Sequence, residues 1–144
     1  MSILTSQDCL TKFGDPTANE RKFMVVLDIP THLEVGFIPK KLYCNKAMQK
    51  PFLAAITALI TTGAVKELKT FDGCFNIRKK RGGTTMSLHS WGVAVDVNAN
   101  WNRMGEPPTL SKKFVKCFTD NGFDWGGDWK KPDGMHFQLK RESL

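Results

Sequence analysis

Two of the three histidines in this 144-residue chain sit beside carboxylates at spacings that suit metal chemistry. The first group is Ser87-Leu88-His89-Ser90-Trp91-Gly92-Val93-Ala94-Val95-Asp96-Val97-Asn98, and the second is Asp133-Gly134-Met135-His136. Imidazole, carboxylate and imidazole from His89, Asp96 and His136 are a ligand set for a catalytic zinc ion, which keeps three protein ligands and one open position for water. Asp133 precedes His136 by three residues, at an Asp-Gly turn, so it lies close to such an ion without having to ligate it. There it can serve as general base toward a water whose pKa zinc lowers to about 7. The third histidine, His32, has no partner motif and is read as an ordinary residue.

The elements that must position these groups can be read from periodicity. Along 93–98 the valines alternate with Ala94, Asp96 and Asn98, the pattern of a strand with one apolar face. Met135, Phe137 and Leu139 alternate in the same way with His136 and Gln138, which predicts a last strand. If the two strands pair, Asp96 and His136 emerge on the same face, and His89 can fold over that point from the turn before the first strand. The Trp125-Gly126-Gly127-Asp128-Trp129 segment predicts a tight aromatic loop, with Trp125 and Trp129 as a substrate wall.

The rest of the chain reads as support. Residues 1–22 are polar and broken by Gly14-Asp15-Pro16, the pattern of a loosely ordered lead-in. Phe23 to Pro30 predicts a strand, and Gly36 to Asn45 a surface connection. Pro51, the spacing of Phe52, Ile56, Leu59 and Ile60, and Gly63 predict a helix. Val65–Phe71 and Cys74–Arg78 read as a strand pair turned at Asp72-Gly73. The run Arg78-Lys79-Lys80-Arg81 before Gly82-Gly83 reads as a solvated loop. Ser111 caps a second helix that buries Phe114 and Phe118 and ends at Gly122. Strands and helices mix without regular βαβ alternation, so the expected fold class is α+β, a small and mainly antiparallel sheet flanked by helices, in a single domain over 1–144.

Composition narrows the function classes. The net charge of +7 is spread along the chain, which permits an anionic partner but lacks the basic stripe with interleaved aromatics that nucleic acid would want. No stretch approaches the roughly 18 apolar residues of a membrane helix, so no membrane insertion is expected. The start of the chain has neither a basic region nor an apolar run, hence no expected signal peptide and synthesis in the cytoplasm. The four cysteines form no CxxC pair and are expected to be separate, reduced thiols.

The motif Ser87-x-His89-x-x-Gly92-x-Ala94-x-Asp96-x-Asn98 with Asp133-x-x-His136 resembles the zinc peptidases of the M15 family, the D-Ala-D-Ala carboxypeptidase and L-alanyl-D-glutamate endopeptidase group. It most resembles their compact bacteriophage endolysin-type members. Trp125-Gly126-Gly127-x-Trp129 and Asn76-Ile77-Arg78 match the pattern too, and the resemblance covers about residues 50–140. It implies a Hedgehog/D-Ala-D-Ala peptidase-like fold, with one zinc ion on His89, Asp96 and His136 and with Asp133 as the base. By the same resemblance Arg78 stabilises the oxyanion, and Ser87 contacts substrate or orders the ligand turn.

The implied activity is hydrolysis of a peptidoglycan stem-peptide bond, with D,D- or L,D-carboxypeptidase trimming and a non-catalytic zinc-stabilised module as alternatives. Aspartate stands at 133 where many members have glutamate, which favours the endopeptidase branch. The implied protein is a monomer made in a host cytoplasm. It acts on the cell wall after release or delivery by another component.

Overall fold

A computed structural model of the protein describes residues 3–144. Two short helices open it, α1 (Ser6–Phe13) and α2 (Pro16–Phe23). Thr5 and Asp8 form a capping box at the start of α1, and Gly14 ends that helix with φ of 77°. Asp15 then caps α2, whose first residue is proline. The expected loose lead-in is therefore corrected over residues 3–22; Met1 and Ser2 lie outside the described residues. Polar composition concealed these helices because each buries little of its own surface, chiefly Cys9 in α1 and Pro16 and Phe23 in α2.

The chain continues into β1 (Met24–Asp28), which pairs antiparallel with β2 (Lys41–Asn45) as a two-stranded ribbon. Gly36–Asn45 is thus only partly a connection, since its last five residues complete the ribbon. Helix α3 (Gln49–Thr62) follows with Phe52, Ala55, Ile56 and Leu59 buried, and Gly63 closes it in the left-handed region.

A four-stranded antiparallel sheet makes up the second half, in the order β3 (Phe71–Gly73), β4 (Ala94–Val97), β6 (His136–Leu139), β5 (Phe123–Trp125). Helix α4 (Lys112–Thr119) lies between β4 and β5 in sequence, and Ser111 caps it by accepting from the Phe114 amide. The fold is α+β with small antiparallel sheets, as expected.

The expected pair across Asp72-Gly73 does not form. Ala64–Glu67 makes a 3-10 turn, and Phe71–Gly73 pairs with β4. Residues 76–78 instead run beside the 87–90 turn, through Asn76 N–H to His89 O (3.1 Å) and Ser87 N–H to Arg78 O (2.8 Å). A turn signal fixes where the chain bends but not which distant backbone satisfies the strand that follows.

The two faces of the sheet have opposite characters. Phe137 stacks on Phe118 of α4 at 4.4 Å between ring centroids, with Phe114 and Phe123 completing an aromatic cluster. Burying each such ring is worth about 1.5–3 kcal/mol, so this face anchors β6. The opposite face carries Asp96, His136 and Gln138 and floors a cleft of about 410 Å³.

Candidate metal centre

Three backbone devices bring the ligand side chains together. Ser87 accepts from the His89 amide at 3.2 Å and so starts the 3-10 turn Leu88–Trp91, which holds His89 inward and buried. Gly92 ends that turn at φ of 65°. A Cβ there would come within 2.7 Å of Met24 Sδ and 2.8 Å of the Asn45 amide nitrogen, so only glycine fits. Asp96 then sits directly opposite His136 in the β4–β6 register, which places both side chains on the cleft face.

In the resulting cluster, His89 Nε2 lies 3.2 Å from Asp96 Oδ2, and His136 Nδ1 lies 3.3 Å from Asp96 Oδ1. The ring centroids of the two histidines are 5.2 Å apart and nearly perpendicular, and one donor atom from each of the three residues falls within 4.8 Å of the others.

The chemistry of this donor set fits a cation. His89 Nδ1 is 2.7 Å from the Cys74 carbonyl, which can only accept, so that nitrogen carries a proton, and in the neutral tautomer this selects, a lone pair on Nε2 faces Asp96. Gln138 donates its amide to Leu4 O at 3.1 Å, which turns its own oxygen toward His136 Nε2 at 2.9 Å. His136 therefore donates through Nε2 and presents Nδ1 to the cluster. Lone pairs and a carboxylate thus converge on one point, and neither His89 Nε2 nor Asp96 Oδ1 has a hydrogen-bond partner there. Burial raises the pKa of Asp96, but the facing imidazoles of His136 and His89 outweigh it and hold the carboxyl below the usual range. Burial lowers His136, yet Asp96 and then Asp133 outweigh it and raise that pKa. Both shifts describe a pocket that favours positive charge. Two imidazoles and a carboxylate suit zinc.

Asp133 stands beside this cluster. Its amide donates to Gly126 O at 2.9 Å and its carbonyl accepts from the His136 amide at 3.1 Å. A Cβ on Gly126 would lie 2.5 Å from the Asp133 carbonyl oxygen, so the glycine is what lets the aspartate turn approach. Burial raises the Asp133 pKa, with His136 partly opposing. Among the described residues no side chain donates a hydrogen bond to its carboxylate. It is a half-buried carboxylate with its lone pairs free, a condition in which such a group can accept a proton.

The remaining predicted residues separate. Arg78 and Ser87 line the cleft, Arg78 exposed at its rim and Ser87 buried with its hydroxyl committed to the turn. Trp129 lines it also, 5.4 Å from the His136 ring. Trp125 does not. It lies opposite Phe137 in the β5–β6 register, stacks on that ring at 6.3 Å and donates its indole N–H to Gly134 O at 2.8 Å. Strand pairing turned it toward the aromatic cluster, so the expected two-tryptophan wall is corrected to one.

Sequence reasoning passed over Gln138, although its alternation with His136 already put both on one face. It also passed over Ile3, Leu4 and Thr5, which line the cleft and for which no local signal exists. Lys80 and Arg81 line it as well. All four cysteines are free and buried. Among the described residues no helix is long and apolar enough to cross a membrane.

Residues 81–139 match the model of a family in the M15 peptidase group described as D-alanyl-D-alanine carboxypeptidase. The matched span holds His89, Asp96, Asp133 and His136; Arg78 lies just before it. Comparison with curated proteins and with solved structures returns no match.

Proposed function

We propose that this chain, whose residues 81–139 belong to the M15 peptidase family, is a zinc-dependent peptidoglycan peptidase that hydrolyses the stem-peptide bond between L-alanine and D-glutamate. The observation that carries the reading is the convergence of His89 Nε2, Asp96 and His136 Nδ1, with the far nitrogen of each imidazole tied to Cys74 O or Gln138. A zinc ion on these three groups supplies Lewis acidity, polarising the scissile carbonyl and bringing the pKa of water to about 7.

The chain's own residues do the rest. Asp133 takes the proton of the attacking water and returns it to the leaving amine. The Arg78 guanidinium, at the rim of the same cleft, stabilises the charge that develops on the carbonyl oxygen. Trp129, Leu4, Met104 and Met135 give the cleft an apolar wall that holds the peptide and displaces water. The net charge of +7 suits an anionic envelope. Asp133 in the place of glutamate supports the endopeptidase branch, and the reading extends to an endolysin-type protein made in a host cytoplasm and acting on the wall after release.

The matched family's description as a D-alanyl-D-alanine carboxypeptidase favours a second reading, removal of a terminal residue. Digestion of purified peptidoglycan with the zinc-loaded protein, followed by mass spectrometry, separates the two. The endopeptidase releases peptides that begin with D-glutamate, whereas the carboxypeptidase shortens stems by one terminal residue. No product of either kind would sink both and leave a zinc-stabilised binding module.

A further inference from the structure

The cleft is more basic than hydrolysis requires. Residues Arg78 to Ser87 form a two-armed excursion beside it, closed by Ser87 N–H to Arg78 O (2.8 Å), Lys80 N–H to Thr85 O (2.9 Å) and a bridge between Lys79 and Met86. At its tip Gly83 N–H donates to Lys80 O at 3.0 Å, and Gly82 takes φ of 67°, the pattern of a type II turn with Arg81 at its first corner. Extended backbone alternates its side chains, so Arg78 and Lys80 face the cleft while Lys79 does not line it. Ser6 Oγ donates to Met86 O at 2.5 Å and fastens the excursion to the start of α1.

These charges lack partners in the protein. Among the described residues neither Lys80 nor Arg81 forms an ion pair, and both are exposed. The acidic groups lining the cleft are Asp96 and Asp133. Asp96 is engaged between two imidazoles, and together the two aspartates do no more than neutralise a divalent ion. Arg81 lies near enough to Asp133 for its charge to favour the ionised carboxylate, and the field of Lys80 reaches Cys9 in α1. Cations grouped on one arm repel one another, and an anion received between them relieves that repulsion.

We propose that Lys80 and Arg81 form a carboxylate-binding subsite beside the metal centre, selecting peptides with a free carboxylate next to the scissile bond. The inference rests on the peptidase reading and deepens it. In an L-alanyl-D-glutamyl bond the α-carboxylate of the glutamate is one carbon from the scissile nitrogen. A cation pair lining the same cleft as Asp133 is placed to receive it while Asp133 serves that nitrogen.

The test uses two synthetic peptides, L-alanyl-γ-D-glutamyl-L-lysine with the glutamate α-carboxylate either free or amidated. The zinc-loaded wild type should prefer the free carboxylate in kcat/KM, and the double variant Lys80→Gln/Arg81→Gln should lower that preference about tenfold, as expected for charge-assisted contacts at an exposed rim. Lys79→Gln, which does not line the cleft, should retain the preference. An equal preference in wild type and double variant overturns the subsite while leaving the peptidase reading intact. If the wild type cleaves neither peptide, the peptidase reading fails and calorimetric binding of the same two peptides decides. A carboxylate preference that the double variant loses supports the subsite, and equal binding of both peptides overturns it.

Discussion

The N-terminal part of the molecule, residues 3–62, and the sheet-bearing part, residues 71–139, meet at one cleft but are built on different terms. The sheet part supplies every side chain of the candidate metal cluster, from two paired strands and one capped turn. The N-terminal part supplies no ligand, yet it reaches the cluster through backbone. Leu4 O orients Gln138, which orients His136, and Gly14 O accepts the indole N–H of Trp91 at 2.8 Å. Met24 and the Asn45 amide crowd Gly92 at the end of the ligand turn. Chemistry is thus concentrated in one part, and the stiffness that points its ligands is contributed by the other.

The largest effect should come from removing the base and leaving the frame untouched. Asp133→Ala should keep one zinc per chain and lower kcat by about 10²–10⁴, measured on peptidoglycan alongside metal analysis. Loss of the metal in that variant would make Asp133 a ligand instead. In the metal-free protein burial raises the Asp133 pKa, with His136 partly opposing, so its carboxyl resonance should titrate above the ordinary 3.8. A midpoint at or below 3.8 would contradict that environment.

Next in size is the seam between the two parts. Gly92→Ala forces a Cβ against Met24 and the Asn45 amide at a positive φ, and should cost roughly 2–4 kcal/mol in denaturant unfolding. A loss near zero would mean that the ribbon of β1 and β2 gives way freely, and the two parts would not be mechanically joined.

Gln138→Leu cuts the link from Leu4 to His136 without touching a ligand. Zinc affinity, read by chelator competition, should fall about 10–100-fold. Unchanged affinity would confine the N-terminal segment to lining the cleft.

Thiol labelling gives the smallest signal. Burial pushes the Cys9 and Cys44 thiols up to about 12 and raises Cys74 as well, so the folded protein at pH 8 should leave all three unmodified. Under mild denaturant, faster labelling of Cys9 and Cys44 than of Cys74 would show the N-terminal part opening first. Equal rates would make the two parts one cooperative unit.

What could be read in advance was local or periodic. Alternation along 93–98 and 135–139 set the faces of β4 and β6, so the grouping of Asp96 with His136 followed once the strands were allowed to pair. The N-cap at Ser111 and the apolar spacing of α3 were equally legible, because their cause lies within a few residues. Trp125 was misjudged because it was read as part of the glycine loop, whereas it ends β5 and its pairing with Phe137 turns the ring to the aromatic cluster. Residues 3–22 were misjudged because their composition is polar and each helix buries few residues, although the caps at Thr5–Asp8 and Asp15-Pro16 are local signals.

The sequence by itself determined the candidate ligand types, their strand faces and the candidate base, since side-chain chemistry and a period of two need no partner to be read. Tertiary structure alone decided which nitrogen of each histidine faces the cluster. The proton on each ring follows the oxygen beside it: Cys74 O reaches His89 from 15 residues away, and Gln138, two residues from His136, is turned by Leu4 O from 134 residues away.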